Sequence, residues 1–220
     1  MGKALIAWSG GKDSAWTLQR LRAAPGTEVA GLFTTVEEDS GRVAVHAVPG
    51  SLLEAQARAA GLPLHRIPIP RPCPNAVYEA AVAKFVEGAM RGGVTQLAFG
   101  DLFLEDIRRY RERQFAQSGL ELLFPLWGEP TRPLAEEMIA SGLRAWIVCV
   151  DLARVPRAWA GRRFDDDFLK QLPDTVDPCG ERGEFHTFAF AGPMFRAPLS
   201  TRIGAVTERD GFAYADVASG

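Results

Sequence analysis

The run Ser9-Gly10-Gly11-Lys12-Asp13-Ser14 decides the fold of this chain. It follows residues 4–8, which we predict to be a buried strand, and it opens residues 14–24, which we predict to be a helix ended by Pro25-Gly26. Glycines let the backbone turn tightly and bring its N–H groups close to a ligand. Because the first turn of a helix adds a partial positive charge, this unit favours phosphate binding.

The side chains of the loop suit a nucleotide with a metal ion. Ser9 and Ser14 carry hydroxyl donors, and Lys12 is predicted to neutralise phosphate charge. Asp13 would repel phosphates unless a cation lies between them, so it predicts a bridging Mg²⁺. The loop is not the P-loop, which needs four residues between its glycines, nor a dinucleotide GxGxxG. We predict that six residues bind ATP here: Ser9, Gly10, Gly11, Lys12, Asp13 and Ser14.

Strand and helix patterns alternate through the next hundred residues. We predict strands at 28–36, 64–69 and 95–99, and helices at 51–60 and 76–91. Such alternation produces right-handed βαβ units. The expected fold class is therefore α/β, with a doubly wound, Rossmann-like parallel sheet covered by helices on both faces.

The pattern changes after residue 125. A helix is predicted at 134–141 and a buried strand at 145–150, and strand-like, antiparallel segments are predicted at 184–190 and 211–217. Residues 152–178 are mixed in character and receive no assignment. We predict an ATP-binding domain at 1–124 and a smaller α+β substrate domain at 125–220.

Composition excludes several classes of protein. The chain has 220 residues, 47% of them hydrophobic, with a net charge of −2, so no global field attracts nucleic acid or an anionic membrane. No apolar run has the length needed to span a bilayer. Its three cysteines are far apart and form neither a disulfide framework nor a zinc site. We expect a cytoplasmic protein that has no membrane association and for which nucleic acid is an improbable partner.

The first loop resembles the PP-loop of the AMP-forming ATP pyrophosphatases, which has the pattern SGGxDS. This resemblance implies an adenine nucleotide alpha-hydrolase-like fold that uses ATP and Mg²⁺. It also implies that the loop holds the β- and γ-phosphates while attack falls on the α-phosphate. Lys12 and Asp13 are then catalytic residues, and Asp13 is the metal ligand.

A second motif narrows the family. Residues 179–185 read Cys-Gly-Glu-Arg-Gly-Glu-Phe, which resembles the CGExGEF segment of the diphthine–ammonia ligase family; Gly119-Leu120 and Pro125-Leu126-Trp127 extend the likeness. The resemblance implies amidation of a carboxylate with ATP and ammonia. Residues 104–108 and His186-Thr187 depart from the archaeal and eukaryotic pattern and look like a bacterial branch. Since bacteria are not known to make diphthamide, the acceptor stays open.

The second motif supplies the remaining catalytic candidates. Cys179 is either a nucleophile or a small buried residue in a turn. Glu181 and Glu184 either orient and deprotonate an amine or cap the turn. His186 is a candidate acid or base, with a structural role as its alternative. We predict a substrate site formed by Cys179, Gly180, Glu181 and Arg108. Arg108 belongs to a predicted arginine-rich helix, for which an exposed, ion-paired surface is the alternative interpretation.

Further ATP contacts are expected where strands end. Gly100 and Asp101 close a parallel strand, at the edge where doubly wound sheets bind ligands. Thr34 lies near the end of the second predicted strand and is a candidate for the adenine pocket. His46 aligns loosely with a histidine of the resembled family and is predicted to lie near the nucleotide.

Three functions are compatible with these motifs. The first is an AMP-forming carbon–nitrogen ligase that joins ammonia or another amine to a carboxylate acceptor, either a protein side chain or a small molecule. The second is transfer of sulfur to a nucleobase of tRNA, which would need a persulfide-carrying cysteine. The third is a non-catalytic ATP-binding regulator. The sequence leaves the oligomeric state open, with a homodimer as one option.

Overall fold

The first part of the chain forms a parallel sheet. The computed structural model describes residues 1–39, 41, 43 and 48–220. Its first strands are β1 (Gly2–Ala7), β2 (Thr27–Glu37), β3 (Leu64–Ile69), β4 (Gln96–Ala98) and β5 (Glu121–Leu123). They lie in the order β3-β2-β1-β4-β5, and every neighbouring pair is parallel. The predicted doubly wound α/β class is confirmed. Strand β5 was not predicted from the sequence, because its three residues are too few to show a periodic pattern.

Helices cover both faces of this sheet. They are α1 (Lys12–Ala23), α2 (Gly50–Ala60), α3 (Asn75–Arg91) and α4 (Glu105–Phe115). Successive strand residues point to opposite faces. In β1, Ile6 packs in a cluster with residues of α1 and α2, while Leu5 packs in a second cluster with residues of α3 and α4.

The second part of the chain forms an antiparallel sheet with two helices. Its elements are α5 (Thr131–Ala140), β6 (Arg144–Asp151), β7 (Arg163–Phe164), α6 (Asp166–Lys170), β8 (Phe185–Ala191), β9 (Thr201–Arg209) and β10 (Phe212–Ser219). Strand β6 pairs with β7, β8 and β10, and β9 pairs with β10. The predicted α+β character is confirmed. Strand β9 was not predicted from the sequence, because most of its residues are exposed.

One apolar cluster joins the two parts. Leu18 of α1 and Leu53 of α2 belong to the same cluster as Met138, Phe168 and Phe188 from the second part. The antiparallel sheet therefore packs on the same side of the parallel sheet as α1 and α2. The division of the chain at residue 125 stays a prediction.

Within the described ranges, no helix combines the length and the apolar character needed to cross a bilayer.

Candidate active site

A cavity of about 490 Å³ lies at the carboxyl ends of β1, β2 and β4. Strand order reverses at β1, because β2 lies on one side of it and β4 on the other. Ligands of open α/β sheets bind at such a switch point. Gly100 lines the cavity, as do residues with hydroxyl, amide, imidazole or charged side chains: Ser9, Asp13, Ser14, Thr34, Thr35, Tyr78, Asp101, Arg111, Gln114, Glu181 and His186.

The loop between β1 and α1 is held in place by its backbone. Gly10 has a φ of +79°, a conformation that favours glycine. Its carbonyl oxygen accepts hydrogen bonds from Gln56 Nε2 and from the backbone N–H of Ala189, both at 2.9 Å. The backbone N–H of Lys12 donates to Thr187 Oγ1 at 3.0 Å. Strand β8 therefore helps to shape the loop.

Gln56 is a residue that the sequence analysis missed. Its Oε1 accepts from Trp8 Nε1 at 2.8 Å, and its Nε2 donates to the carbonyl oxygens of Gly10 and Ala189. The side chain is fully buried, so these bonds satisfy it. A single glutamine in a helical pattern gives no signal of such partners.

The two serines of the loop have local partners. Ser9 Oγ accepts from the backbone N–H of Gly11 at 3.2 Å, and Ser14 Oγ donates to the carbonyl oxygen of Gly11 at 3.0 Å. The two Oγ atoms are 3.2 Å apart. Both residues line the cavity, so the hydroxyls lie where the sequence predicts phosphate contacts.

Gly100 brings the end of β4 close to the first turn of α1. A Cβ atom at this position would lie 3.0 Å from the backbone carbon of Asp13 and 3.0 Å from Thr17 Oγ1. Only glycine fits without movement of the helix, and this close approach places Asp101 beside the loop.

The ammonium group of Lys12 is hydrogen-bonded within the protein itself. The side chain is buried, and Nζ donates to Asp13 Oδ2 at 2.8 Å and to the carbonyl oxygen of Cys179. The rings of Phe164 and Phe185 flank the ammonium at 5.6 and 5.5 Å. Burial is the largest single effect and acts to lower the pKa of Lys12, but the charge of Asp13, its hydrogen bond to Nζ and the smaller effects of Cys179 and Glu181 together outweigh it, so the pKa is raised and the group stays charged. The ammonium thus ties the loop to the second part of the chain, and the phosphate contact of Lys12 stays a prediction.

Asp13 retains coordinating capacity. Oδ2 pairs with Lys12, whereas Oδ1 is buried and has no hydrogen-bond partner among the described residues. A carboxylate oxygen of this kind fits Mg²⁺, which takes one or two carboxylates together with substrate phosphates and waters. No cluster of three or more acidic, histidine or cysteine side chains forms a metal site within the described part of the chain.

The turn before β8 is built around two carboxylates. Asp177 Oδ2 accepts from the backbone N–H groups of Cys179 and Glu181, both at 3.0 Å. The two oxygens of Glu184 accept from the N–H groups of Asp177 and Arg182 at 3.1 and 3.0 Å. Glu184 is 1% exposed. These contacts favour the capping alternative for Glu184.

Glu181 faces the cavity. Its Oε1 accepts from the backbone N–H of Leu102 at 2.9 Å, which fixes the carboxyl group at the end of β4. Burial, with smaller contributions from Asp13 and Asp101, raises the pKa of Glu181 to about 7. A carboxyl group with such a pKa is suited to exchange a proton near neutral pH.

His186 lines the same cavity from β8. Burial, followed by the charge of Lys12, lowers its pKa to about 4. The imidazole is therefore neutral at pH 7. A neutral ring can position a substrate through a hydrogen bond, but it is a weak base.

Cys179 lies beneath the turn. Its thiol donates to the carbonyl oxygen of Thr131 at 3.4 Å, and the residue is 1% exposed. Burial raises the pKa of the thiol well above its usual range. Because the thiolate is the nucleophile, these facts favour the structural alternative for Cys179. Gly180 has a φ of +69° and allows the turn to form.

Helix α4 contributes Arg111 to the cavity, where Arg108 had been predicted. Arg108 lies over the rings of Phe124 and Trp127 and pairs with Glu112 at 2.8 Å. Arg111, three residues later and thus on a neighbouring part of the helix surface, lines the cavity. A substrate role for Arg108 has no support from its position.

Asp101 is the partner of Arg111. Its two oxygens accept from Nε and Nη2 of Arg111 at 2.5 and 3.0 Å, and the guanidinium lies 4.3 Å from the centre of the Phe99 ring. Asp101 therefore orients an arginine at the cavity, and its contact with ATP stays a prediction.

Two further residues, Thr34 and His46, are predicted from the sequence to contact ATP. Thr34 is buried at the end of β2 and lines the cavity next to Thr35 and Val43. His46 lies outside the described residues.

Comparison with known families agrees with this architecture. The model of the diphthamide synthase N-terminal domain matches residues 2–122, and that of the diphthamide synthase C-terminal domain matches residues 130–212. This chain belongs to the diphthamide synthase family. The resemblance inferred from the loop and from residues 179–185 is thereby confirmed.

Curated members of the family include the diphthine–ammonia ligases of Bos taurus and Homo sapiens. Each is 31% identical to this chain over 121 residues. The match covers 52% of this chain and 45% of each relative, so less than half of each relative's length is represented.

Proposed function

We propose that this member of the diphthamide synthase family is an ATP-dependent ligase that forms an amide and releases AMP and pyrophosphate. The observation that carries the proposal is the cavity in which the loop Ser9–Ser14 meets Glu181 of the second motif. The relatives named diphthine–ammonia ligase support the same class of reaction.

Two bond-making steps account for this stoichiometry. A carboxylate oxygen of the acceptor attacks the α-phosphorus of ATP, the bond to the β-phosphate breaks, and an acyl-adenylate and pyrophosphate form. Ammonia or another amine then attacks the acyl carbon, and AMP leaves. The amine loses a proton in this second step.

The loop and helix α1 serve the first step. The first turn of α1, with Ser9 and Ser14 beside it, provides donors for the pyrophosphate. Asp13 would hold Mg²⁺ through Oδ1, and the ion, when bound, would neutralise charge on the phosphates. Lys12 supports this step indirectly, because it orients Asp13 and fixes the turn at Cys179.

Glu181 serves the second step. Its carboxyl group lies in the cavity with a pKa of about 7, so its ionised form can accept the proton of the attacking amine. His186, neutral at pH 7, would position the amine or the acyl oxygen.

Sulfur transfer receives less support. The thiols of Cys149 and Cys179 are buried. Burial raises the pKa of Cys149 to about 11 and raises the pKa of Cys179 still more. Neither is suited to carry a persulfide.

The test is a screen of metabolite and protein fractions for stimulated turnover. With ATP, Mg²⁺ and ammonium present, we expect AMP and pyrophosphate in equal amounts. Asp13→Ala abolishes the release, while the exposed-carboxylate control Asp167→Ala retains it. Release of ADP and phosphate would contradict the proposal. ATP binding without turnover in any fraction would instead favour the regulator.

A further inference from the structure

The α4 side of the cavity carries two donor atoms that are not used by an acceptor among the described residues, one on Arg111 and one on Gln114. Arg111 uses Nε and Nη2 on Asp101, and its Nη1 has no hydrogen-bond partner among the described residues. Gln114, three residues further along α4, lines the same cavity, and its Nε2 is buried with no partner in the described ranges. A buried unpaired donor is costly, and an acceptor oxygen would remove that cost.

These donors lie on the other side of β1 from Thr34, the predicted adenine contact, and Arg111 occupies both oxygens of Asp101. Thr34 is on β2, on one side of β1, whereas α4 follows β4, on the other side. The loop Ser9–Ser14 lies between them. The cavity thus has a side near β2 suited to the nucleoside and a side near α4 where a guanidinium and an amide are the donors, with the oxygens of Asp101 already paired to Arg111.

A second opening leads to the same donors. A cavity of about 330 Å³ lies between the start of α3 and α4, and it shares Tyr78, Ile107 and Arg111 with the first cavity. Its other lining residues are Cys73, Asn75 and Tyr110. Arg111 is the sole charged residue lining it within the described part of the chain. The groove therefore suits an uncharged arm that ends in an anion.

We propose that Arg111 and Gln114 form the acceptor subsite, and that the acceptor is a carboxylate at the end of an extended, uncharged arm that enters between Tyr78 and Ile107. The inference rests on the proposed function, since it concerns the carboxylate that ATP activates. Nη1 of Arg111 and Nε2 of Gln114 donate to the carboxylate oxygens and, after adenylation, to the acyl oxygen. Asp101 is a positioning residue, because it fixes the guanidinium.

Non-hydrolysable acyl-adenylate analogues test the subsite. Calorimetry compares 5′-O-sulfamoyladenosine with its N-acetyl and N-hexanoyl derivatives. In the unmodified protein, we expect the acyl groups to strengthen binding by about tenfold or more, as expected for new hydrogen bonds from the Arg111 guanidinium and the Gln114 amide. Gln114→Met, which keeps the side-chain length and removes the amide, loses most of this gain, whereas Arg109→Gln on the exposed side of α4 retains it.

The outcomes separate this inference from the proposed function. If sulfamoyladenosine binds and the acyl groups add nothing, or if Gln114→Met keeps their full gain, the subsite is wrong while the ATP site stands. If neither ATP nor sulfamoyladenosine binds, both proposals fail. Arg111→Gln alone would leave Asp101 unpaired and could impair folding, so Arg111 is tested in the double variant Asp101→Asn/Arg111→Gln. This double variant is also expected to lose the gain in affinity that the acyl groups give.

The route is tested separately by narrowing the groove. Ile107→Trp is expected to weaken binding of the hexanoyl derivative by about tenfold and to leave the acetyl derivative unchanged. Val77→Trp places the same side chain on an exposed site of α3 as the control. Equal binding of both derivatives to Ile107→Trp and to the unmodified protein would overturn the route.

Discussion

Two glutamates three positions apart have different environments in the same turn. Glu184 accepts two backbone N–H bonds and is almost fully buried. Glu181 accepts one, from Leu102, and faces the cavity. The motif alone cannot separate these roles, because the difference depends on Leu102, which is 79 residues away in sequence.

Glu181→Gln is expected to remove the pH dependence of amide formation near neutrality. The pKa of Glu181 is raised to about 7, so its protonated form prevails at lower pH and cannot accept a proton. The rate should therefore fall by about tenfold per pH unit below 7 and level off above it. In Glu181→Gln, we expect a rate lower by about 10²-fold or more, without this acidic limb.

The measurement is AMP formation between pH 5 and pH 9 at saturating ATP, with the concentration of unprotonated ammonia held equal at every pH, because the protonation of ammonia would otherwise add its own pH dependence. Glu136→Gln, an exposed glutamate on α5, is the matched control. An acidic limb that survives in Glu181→Gln would assign the base to another group.

Lys12→Met is expected to destabilise the protein. The buried ammonium makes hydrogen bonds to Asp13 and to the carbonyl oxygen of Cys179, and methionine replaces neither. Since the Asp13 side chain is 28% exposed, water compensates part of the loss. We expect the free energy of unfolding to fall by about 1–3 kcal/mol. Urea denaturation measures this, with the exposed Lys84→Met expected to change it by less than about 0.5 kcal/mol.

At the scale of elements, the phosphate loop depends on α2 and β8 as much as on its own glycines. Gln56→Leu removes three buried hydrogen bonds, leaving Trp8 Nε1 and the carbonyl oxygen of Ala189 without that partner. We expect a loss of roughly 2–4 kcal/mol in stability, because unpaired buried groups cost about 1–3 kcal/mol each. ATP binding should weaken in parallel, since the carbonyl oxygen of Gly10 then keeps only its bond from the backbone N–H of Ala189.

The matched control is Gln171→Leu, whose side chain is exposed and bonds only Arg162 among its described neighbours. Urea denaturation and calorimetric titration with ATP report the two effects. A Gln56→Leu protein with unchanged stability and affinity would show that the loop keeps its shape without α2.

Local pattern explains which elements the sequence predicts. Strands β1 to β4 and helices α1 to α3 have clear periodicity and glycine or proline boundaries, and each was predicted within a few residues. The Gln56–Ala189 contact joins residues 133 positions apart, and no local pattern encodes it. Residues 152–178 could not be assigned because they hold a two-residue strand, β7, and a five-residue helix, α6.

The part of the candidate site that belongs to sequence motifs or to a strand end was predicted from the sequence. The loop residues, Asp101, Glu181 and His186 all lie at the cavity or in the loop beside it. Lys12 and Arg108 could not be oriented from the sequence, because the direction of a long side chain depends on its partners, here Cys179 and Trp127.

At the scale of the molecule, the site exists only where the two parts of the chain meet. The parallel sheet supplies the loop and Asp101, and the antiparallel part supplies Glu181 and His186. Leu18 and Leu53 of the first part share one apolar cluster with residues such as Phe188 of the second. An interface of this kind couples folding of the two parts.

The shared cluster predicts one cooperative unfolding transition for the whole chain. Separating the parts would expose Leu53 and Phe188 to water and break the bonds from β8 to the loop, so neither part should persist alone. Differential scanning calorimetry should give a single peak whose calorimetric and van't Hoff enthalpies agree. Saturating ATP with Mg²⁺ should move that whole peak upward, because ligand binding stabilises the folded state. Two resolved peaks, of which ATP shifts only one, would instead show that the predicted division near residue 125 separates two independently folding units.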